Sequence, residues 1–129
     1  MIVGLYAALL ALLLFALSMR VIALRGGPGL SWLAFGNDRE AVLQRAVRGH
    51  SNLIEYAPIF ILLLLVAELN GLNPNTLHSY GIVFVVARLM HGYCFGFLQH
   101  SMILRVGGTI ASLFSTLGLA VVILMSYNA

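Results

Sequence analysis

The sequence predicts an all-α integral membrane protein, a four-helix transmembrane bundle with both termini on the outer side. Three observations carry this. Of 129 residues, 61% are hydrophobic and 9% charged, with a mean hydropathy of +1.01, and a soluble domain of this size cannot cover such a surface. Four apolar runs follow one another, Ile2–Met19, Leu53–Leu69, Leu77–Leu98 and roughly Gly107–Met125. Each supplies the ~20 residues a span needs, the second by borrowing its polar entrance. The seven basic residues are all arginine and unevenly placed: Arg20, Arg25, Arg39, Arg45 and Arg48 lie at or between the ends of the first two spans, Arg88 inside the third, and Arg105 at the last connection. The connection NGLNPNTLHS and both termini carry none, so the first and third connections are expected in the cytoplasm.

The elements follow in order within a single domain, 1–129. The first span, 2–24, has no basic segment before it and no small-residue cleavage pattern, and is read as a true span rather than a cleavable signal. Glycines and Pro28 in VIALRGGPG end it. Trp32 and Phe35 in the loop that follows suit the headgroup level. Asn37 or Asp38 is expected to cap the second helix, whose positive end Asp38 and Glu40 complement. That helix, 39–69, should run about 45 Å at ~1.5 Å per residue, so its first turns project beyond the ~30 Å hydrocarbon core. Pro58 should kink it where the polar entrance gives way to ILLLLVA. NGLNPN turns the chain, and the third span, 77–98, carries Arg88 and His91 within its apolar run. LQHSMILRVGG reads as a short turn before the fourth span, 106–126, whose Gly, Ser, Ala and Thr favour close packing inside the bundle or between subunits.

The stretch RGHSNLIEYAPIF sets polar groups where a membrane should reject them. At ~100° per residue, Arg48, Asn52 and Glu55 fall at about 0°, 40° and −20°, one narrow stripe. Arg45 and Tyr56 flank it and His50 points away. One reading is structural: Arg48 and Glu55 neutralise each other through Asn52, since buried charges must be paired. Against it, intramembrane ionisable groups are functional candidates by default. Arg25, Arg48, Arg88 and Arg105 crowd one membrane face, where Glu55 is the carboxylate deep enough to meet them. Surplus arginine with one carboxylate suits an anionic, zwitterionic guest such as a small peptide. Arginine forks grip carboxylates in two-point geometry, Glu55 can take an ammonium, and Asn52 offers both a donor and an acceptor.

RGHSNLIEYAPIF, in the form R-x-x-x-N-x-x-E-[YN]-x-P, and ARLMHGY in the third span resemble the membrane-associated proteins in eicosanoid and glutathione metabolism. That family includes microsomal glutathione transferases and leukotriene and prostaglandin synthases. Span spacing and topology agree over essentially the whole chain, as for a bacterial-type member in the inner membrane. The resemblance implies a homotrimer binding glutathione between subunits near the cytoplasmic face, with a lipophilic small molecule as second substrate. It assigns Arg25, Arg48, Asn52, Glu55, Tyr56, Arg88, His91 and Tyr93 to glutathione, and the thiolate to Arg105. Arg105 matches only to within a residue or so, because the preceding loop differs in length. Where the family carries a second tyrosine in the third span this chain has Phe95, with Tyr93 two residues earlier. A fixed cation lowers a thiol pKa from near ~8.5, and arginine does so without exchanging a proton. The implied activity is conjugation or reduction of lipophilic electrophiles.

Other residues point elsewhere. His50, His78, His91 and His100 do not make a metal set, and no metal is expected. Glu68 is read as interfacial and Cys94 as a small packing residue. The dispersed arginines form no basic run, which argues against nucleic acid. Two alternatives stay open. One is a non-catalytic relative that binds a lipid, favoured if Arg105 does not reach the thiol. The other is a small four-span drug/proton exporter, which needs a lone membrane glutamate in an apolar cavity, typically on the first span. Glu55 instead shares the second-helix stripe with Arg48.

Overall fold

The structure, a computed structural model, describes residues 1–98 and 101–127. Four helices, α1 (Ile2–Leu24), α2 (Arg39–Leu69), α3 (Pro74–Phe97) and α4 (Met102–Ser126), account for nearly all of it, with one 3-10 turn at Ser31–Leu33. Each helix is long and apolar enough to cross a membrane, so the chain is a membrane four-helix bundle.

The first two helices keep their expected limits because local chemistry defines them. Gly26, at φ +86°, closes α1 by donating its N–H to Ala23 O (3.0 Å) while Gly27 donates to Ile22 O (3.0 Å). Gly71 and Leu72 close α2 with the same paired pattern onto Glu68 O and Ala67 O. Only a residue tolerating positive φ can stand at this position without strain. Asp38, rather than Asn37, caps α2 by accepting from the Ala41 N–H at 3.3 Å. The other two helices start earlier than their apolar runs. Pro74 occupies the first turn of α3, with Asn73 as cap accepting from Asn75 N–H at 2.8 Å. Ser101 caps α4 at Leu104 N–H, 3.4 Å away. Met102–Arg105 are therefore helical, and Arg105 stands on the first turn of α4 rather than in a connecting loop.

The third helix is the axis of the bundle. It packs against α1, α2 and α4, while α1 and α4 do not meet. Its apolar window is 56% buried, against 22% for α1 and α2 and 28% for α4. The outer three helices thus keep most of their apolar surface facing away from the bundle. Phe60 and Phe84 stack face to face at 3.9 Å in the α2–α3 core, and Tyr6, Leu17, Leu64, Leu77 and Leu119 close around that axis. Close approach relies on glycine. A Cβ on Gly108 would stand 2.8 Å from Ala87 O and 3.0 Å from His91 N, so α4 lies directly on the backbone of α3.

Polar groups tie the helix ends. Glu68 accepts from the N–H groups of Ile2 (2.6 Å) and Val3 (2.7 Å), capping α1 from the far end of α2. Nearby, the Tyr6 hydroxyl pairs with His78 Nδ1 at 2.7 Å. At the opposite end, Arg39 donates to Leu24 O (3.2 Å) and Arg45 to Cys94 O (3.1 Å). Arg20, 1% exposed, donates to Gly96 O and Leu33 O. Cys94 is buried and its thiol donates to Ser101 O at 3.3 Å, in keeping with a packing role.

A donor-lined cleft at the arginine-rich end

The site is built where α2, α3 and α4 meet. The 3.6-residue period of α2 carries Arg48, Asn52 and Glu55 along one side, but their side chains part company. Arg48 and Glu55 are exposed, whereas Asn52 is half-buried and turns inward. Its Oδ1 accepts from Arg88 Nη2 at 2.5 Å. Arg88, on α3, is 1% exposed. It also donates through Nη1 to Ser112 Oγ on α4 (3.3 Å) and through Nη2 to His91 Nδ1 (3.4 Å). Its guanidinium lies 5.7 Å from the centre of the Tyr56 ring, within cation–π range. Among the described residues no carboxylate pairs with it. Burying a guanidinium beside neutral acceptors alone costs several kcal/mol, so the arrangement stands out from ordinary packing.

In front of Arg88 opens a cleft of ≈ 390 Å³ lined by Arg48, Asn52, His91 and Arg105, with Phe95, Val106, Thr109 and Ile110 completing its wall. Phe95 is held on both sides, stacked on His91 at 4.6 Å and facing the Arg45 guanidinium at 4.9 Å. Arg105 projects from the first turn of α4, the positive end of that helix dipole. A cation there gains nothing from its own helix, and the combined field favours an incoming anion. A second recess, ≈ 480 Å³, adjoins the cleft through Arg48 and is lined also by Arg25, Gln44, Leu43 and Val47. An apolar groove of ≈ 330 Å³ lies between α1 and α2, walled by Leu10, Leu14, Ile54 and Pro58 among others.

Arg48, Asn52, His91 and Arg105 therefore converge on one cleft, with Arg88 and Tyr56 as its backing. Arg25 joins through the neighbouring recess. Glu55 is exposed on α2 and does not line the cleft. Tyr93 does not join. It is 54% exposed and stacks with Phe97 at 6.2 Å, because it stands two residues, ~200° of helix, from His91. The cleft-facing partner of His91 is Phe95, four residues on. Several contributors carry no clear mark in the sequence, Val106, Thr109 and Ile110 of the wall among them. Ser112 was one of many small residues on α4, though its spacing from Gly108 and Ser115 places it on the α3-facing side. Gln44 carried no signal. The structural alternative, Arg48 bridged to Glu55 through Asn52, does not form among the described residues, since Asn52 is engaged by Arg88. Among the described residues no three His, Cys, Asp or Glu side chains gather as for a metal. His50 pairs with Ser18 (2.9 Å) and His78 with Tyr6; His100 lies outside the described residues.

A four-span bundle with this polar second-helix stripe and a buried third-helix arginine defines a class, and comparison assigns it: the chain belongs to the MAPEG family, whose model matches residues 3–125. Among its relatives are two Escherichia coli proteins, both named inner membrane protein YecN, from strains K12 and O6:H1. Each is 43% identical over 95 residues, covering 74% of this chain and 70% of its own. No solved structure matches.

Proposed function

We propose that this protein binds glutathione in the cleft of Arg48, Asn52, His91 and Arg105, and uses the bound thiolate against lipophilic electrophiles. The observation that carries the reading is the convergence of these side chains on one open cleft with no carboxylate among them. Arg48 and Arg25, in adjoining recesses, would take the peptide carboxylates in charge-assisted, two-point contacts. Glu55, outward on α2, would take the ammonium. Its exposure, with that of Arg48, supports a homotrimer in which a neighbouring subunit completes the site. Arg105 would stabilise the thiolate. The thiol proton leaves to water, the sulfur lone pair forms the new C–S bond, and the displaced electron pair departs with the leaving group or adds to the acceptor. A lipophilic partner could arrive along the apolar α1–α2 groove, which shares Leu53, Ile54 and Ala57 of the site helix. The arginine-rich end would face the cytoplasm by the positive-inside rule, and the YecN relatives support the inner membrane as its location.

The test is glutathione binding to the purified protein in nanodiscs, read together with the ultraviolet absorbance of bound thiolate. The expected result is saturable binding with a thiolate signal that Arg105→Ala abolishes while binding persists. No binding at millimolar glutathione overturns the proposal. Binding without thiolate in the wild type and in Arg105→Ala alike would identify a non-catalytic relative. Chemical cross-linking in the membrane reads the trimer directly.

A further inference from the structure

We infer that buried Arg88 is a positioning residue that turns Asn52 and His91 into hydrogen-bond donors facing the cleft. Asn52 and His91 then join Arg48 and Arg105 as donors, with Thr109, whose hydroxyl donates to Arg105 O at 2.9 Å, as the one acceptor in the wall, and the cleft selects a guest whose sulfur end carries negative charge. Hydrogen-bond inventory decides which group of each side chain faces the cleft. A guanidinium has donors and no acceptor. The group of Asn52 that meets Arg88 must therefore be its carbonyl oxygen, which leaves the Nδ2 amine turned the other way. Asn52 alone could offer a guest either a donor or an acceptor; engaged by Arg88 it offers a donor.

His91 follows by the same logic. Its Nδ1 faces Arg88 Nη2 at 3.4 Å. A ring nitrogen that accepts carries no hydrogen, so the proton resides on Nε2. Neither Asn52 Nδ2 nor His91 Nε2 has a hydrogen-bond partner among the described residues, and neither is among the polar atoms sealed from solvent. Both residues line the cleft, so these two donors open onto it. Buried Ser112 holds the other terminal nitrogen of Arg88 through its Oγ and fixes the guanidinium plane from α4. Arg48 and Arg105 add only donors. A second cation is repelled there and a neutral thioether accepts only weakly, whereas an anion meets four donor groups turned toward it.

The inference uses the glutathione reading only for the identity of the guest, and two measurements keep them apart. The first needs no ligand. In protein labelled with 15N-histidine, the His91 resonances, assigned by their loss in His91→Gln, report which nitrogen is protonated. Protonation at Nε2 is expected, and protonation at Nδ1 overturns the inference. The second uses glutathione sulfonate, whose sulfur bears a fixed negative charge, and S-methylglutathione, which has none there. Wild-type protein should prefer the sulfonate. Asn52→Asp should bind it ~10- to 100-fold more weakly, the scale of one charged contact made repulsive. Because the new carboxylate faces Arg88, the same variant should melt no lower than wild type, and a merely structural role would move both readings together. Unchanged sulfonate affinity in Asn52→Asp overturns the donor role. Wild-type protein that binds neither probe, while His91 carries its proton on Nε2, overturns the glutathione reading and leaves the orientation supported.

Discussion

Arg20 offers the sharpest separation of a structural arginine from a ligand arginine. Its Nε donates to Gly96 O at 2.7 Å and its Nη1 to Leu33 O at 2.6 Å, while its guanidinium lies 3.9 Å from the centre of the Phe35 ring. It thus fastens α1 to the end of α3 and to the 3-10 turn. Arg20→Met keeps the apolar stem and removes both donors. Each charge-assisted bond contributes ~1.5–3 kcal/mol, and each orphaned carbonyl adds ~1–3 kcal/mol where water cannot reach it. These contributions overlap and do not add, and the expected loss is ~3–5 kcal/mol, the range for breaking a buried charged contact. The assay is unfolding in mixed detergent micelles, followed by Trp32, the one tryptophan of the chain, which sits in the turn that Arg20 holds. Glutathione affinity of the folded variant should stay within about threefold of wild type, since no bond to the cleft is removed. Stability within ~0.5 kcal/mol of wild type would refute the clip, because surface changes alone fall in that range. Full stability with lost affinity would place Arg20 in the ligand set instead.

Three further outcomes follow from the same geometry. Arg48→Ala, at an exposed position, should leave unfolding within ~0.5 kcal/mol of wild type and weaken glutathione binding ~10-fold or more by removing a charge-assisted contact, read by calorimetry. Glu68→Ala should lower stability by ~1–2 kcal/mol through loss of the α1 cap, with Glu68→Gln losing less; faster hydrogen exchange at the Ile2 and Val3 amides is the check. Gly108→Ala should destabilise by ~1–3 kcal/mol, because rigid backbone rather than a movable side chain receives the new methyl. Binding should weaken with it as His91 shifts. Gly107→Ala, whose Cβ would meet only the flexible end of Met90 at 3.2 Å, should be nearly silent in the same melt.

The limits of legibility follow from which forces are local. The ends of α1 and the start of α2 were readable because Gly26, Gly27 and Asp38 act through neighbouring backbone. The starts of α3 and α4 were misplaced by a few residues, since an apolar run reports where lipid begins, whereas Asn73, Pro74 and Ser101 report where the helix begins. That difference moves Arg105 from a loop onto a helix. The Arg48–Asn52–Glu55 stripe came from periodicity alone. A helical wheel, however, treats side chains as spokes, and it could not show Asn52 folding inward to Arg88 while its neighbours face out. The sequence already shows Phe95 in the register of the family's second tyrosine, with Tyr93 two residues earlier, and the rotation of α3 turns Phe95 rather than Tyr93 to the cleft. The Glu68 cap joins residues 66 apart in the chain, and no local pattern encodes such a meeting.

The seven arginines show why net charge alone was an ambiguous guide. Arg20, Arg39 and Arg45 each donate to backbone carbonyls at the ends of α1 or α3 or in the adjoining turn. Those ends carry unsatisfied carbonyls and the negative pole of the helix dipole, so these three cations are explained without a guest. Arg88 is bound to neutral acceptors and orients them. Arg25, Arg48 and Arg105 remain, all exposed and all lining the two adjoining recesses. Cations that pair with no carboxylate among the described residues, gathered at one end of a membrane bundle, repel one another, and the arrangement gains by admitting an anion. A charged guest therefore suits the arginines that the fold leaves open, and these are three of the four that the sequence groups around Glu55.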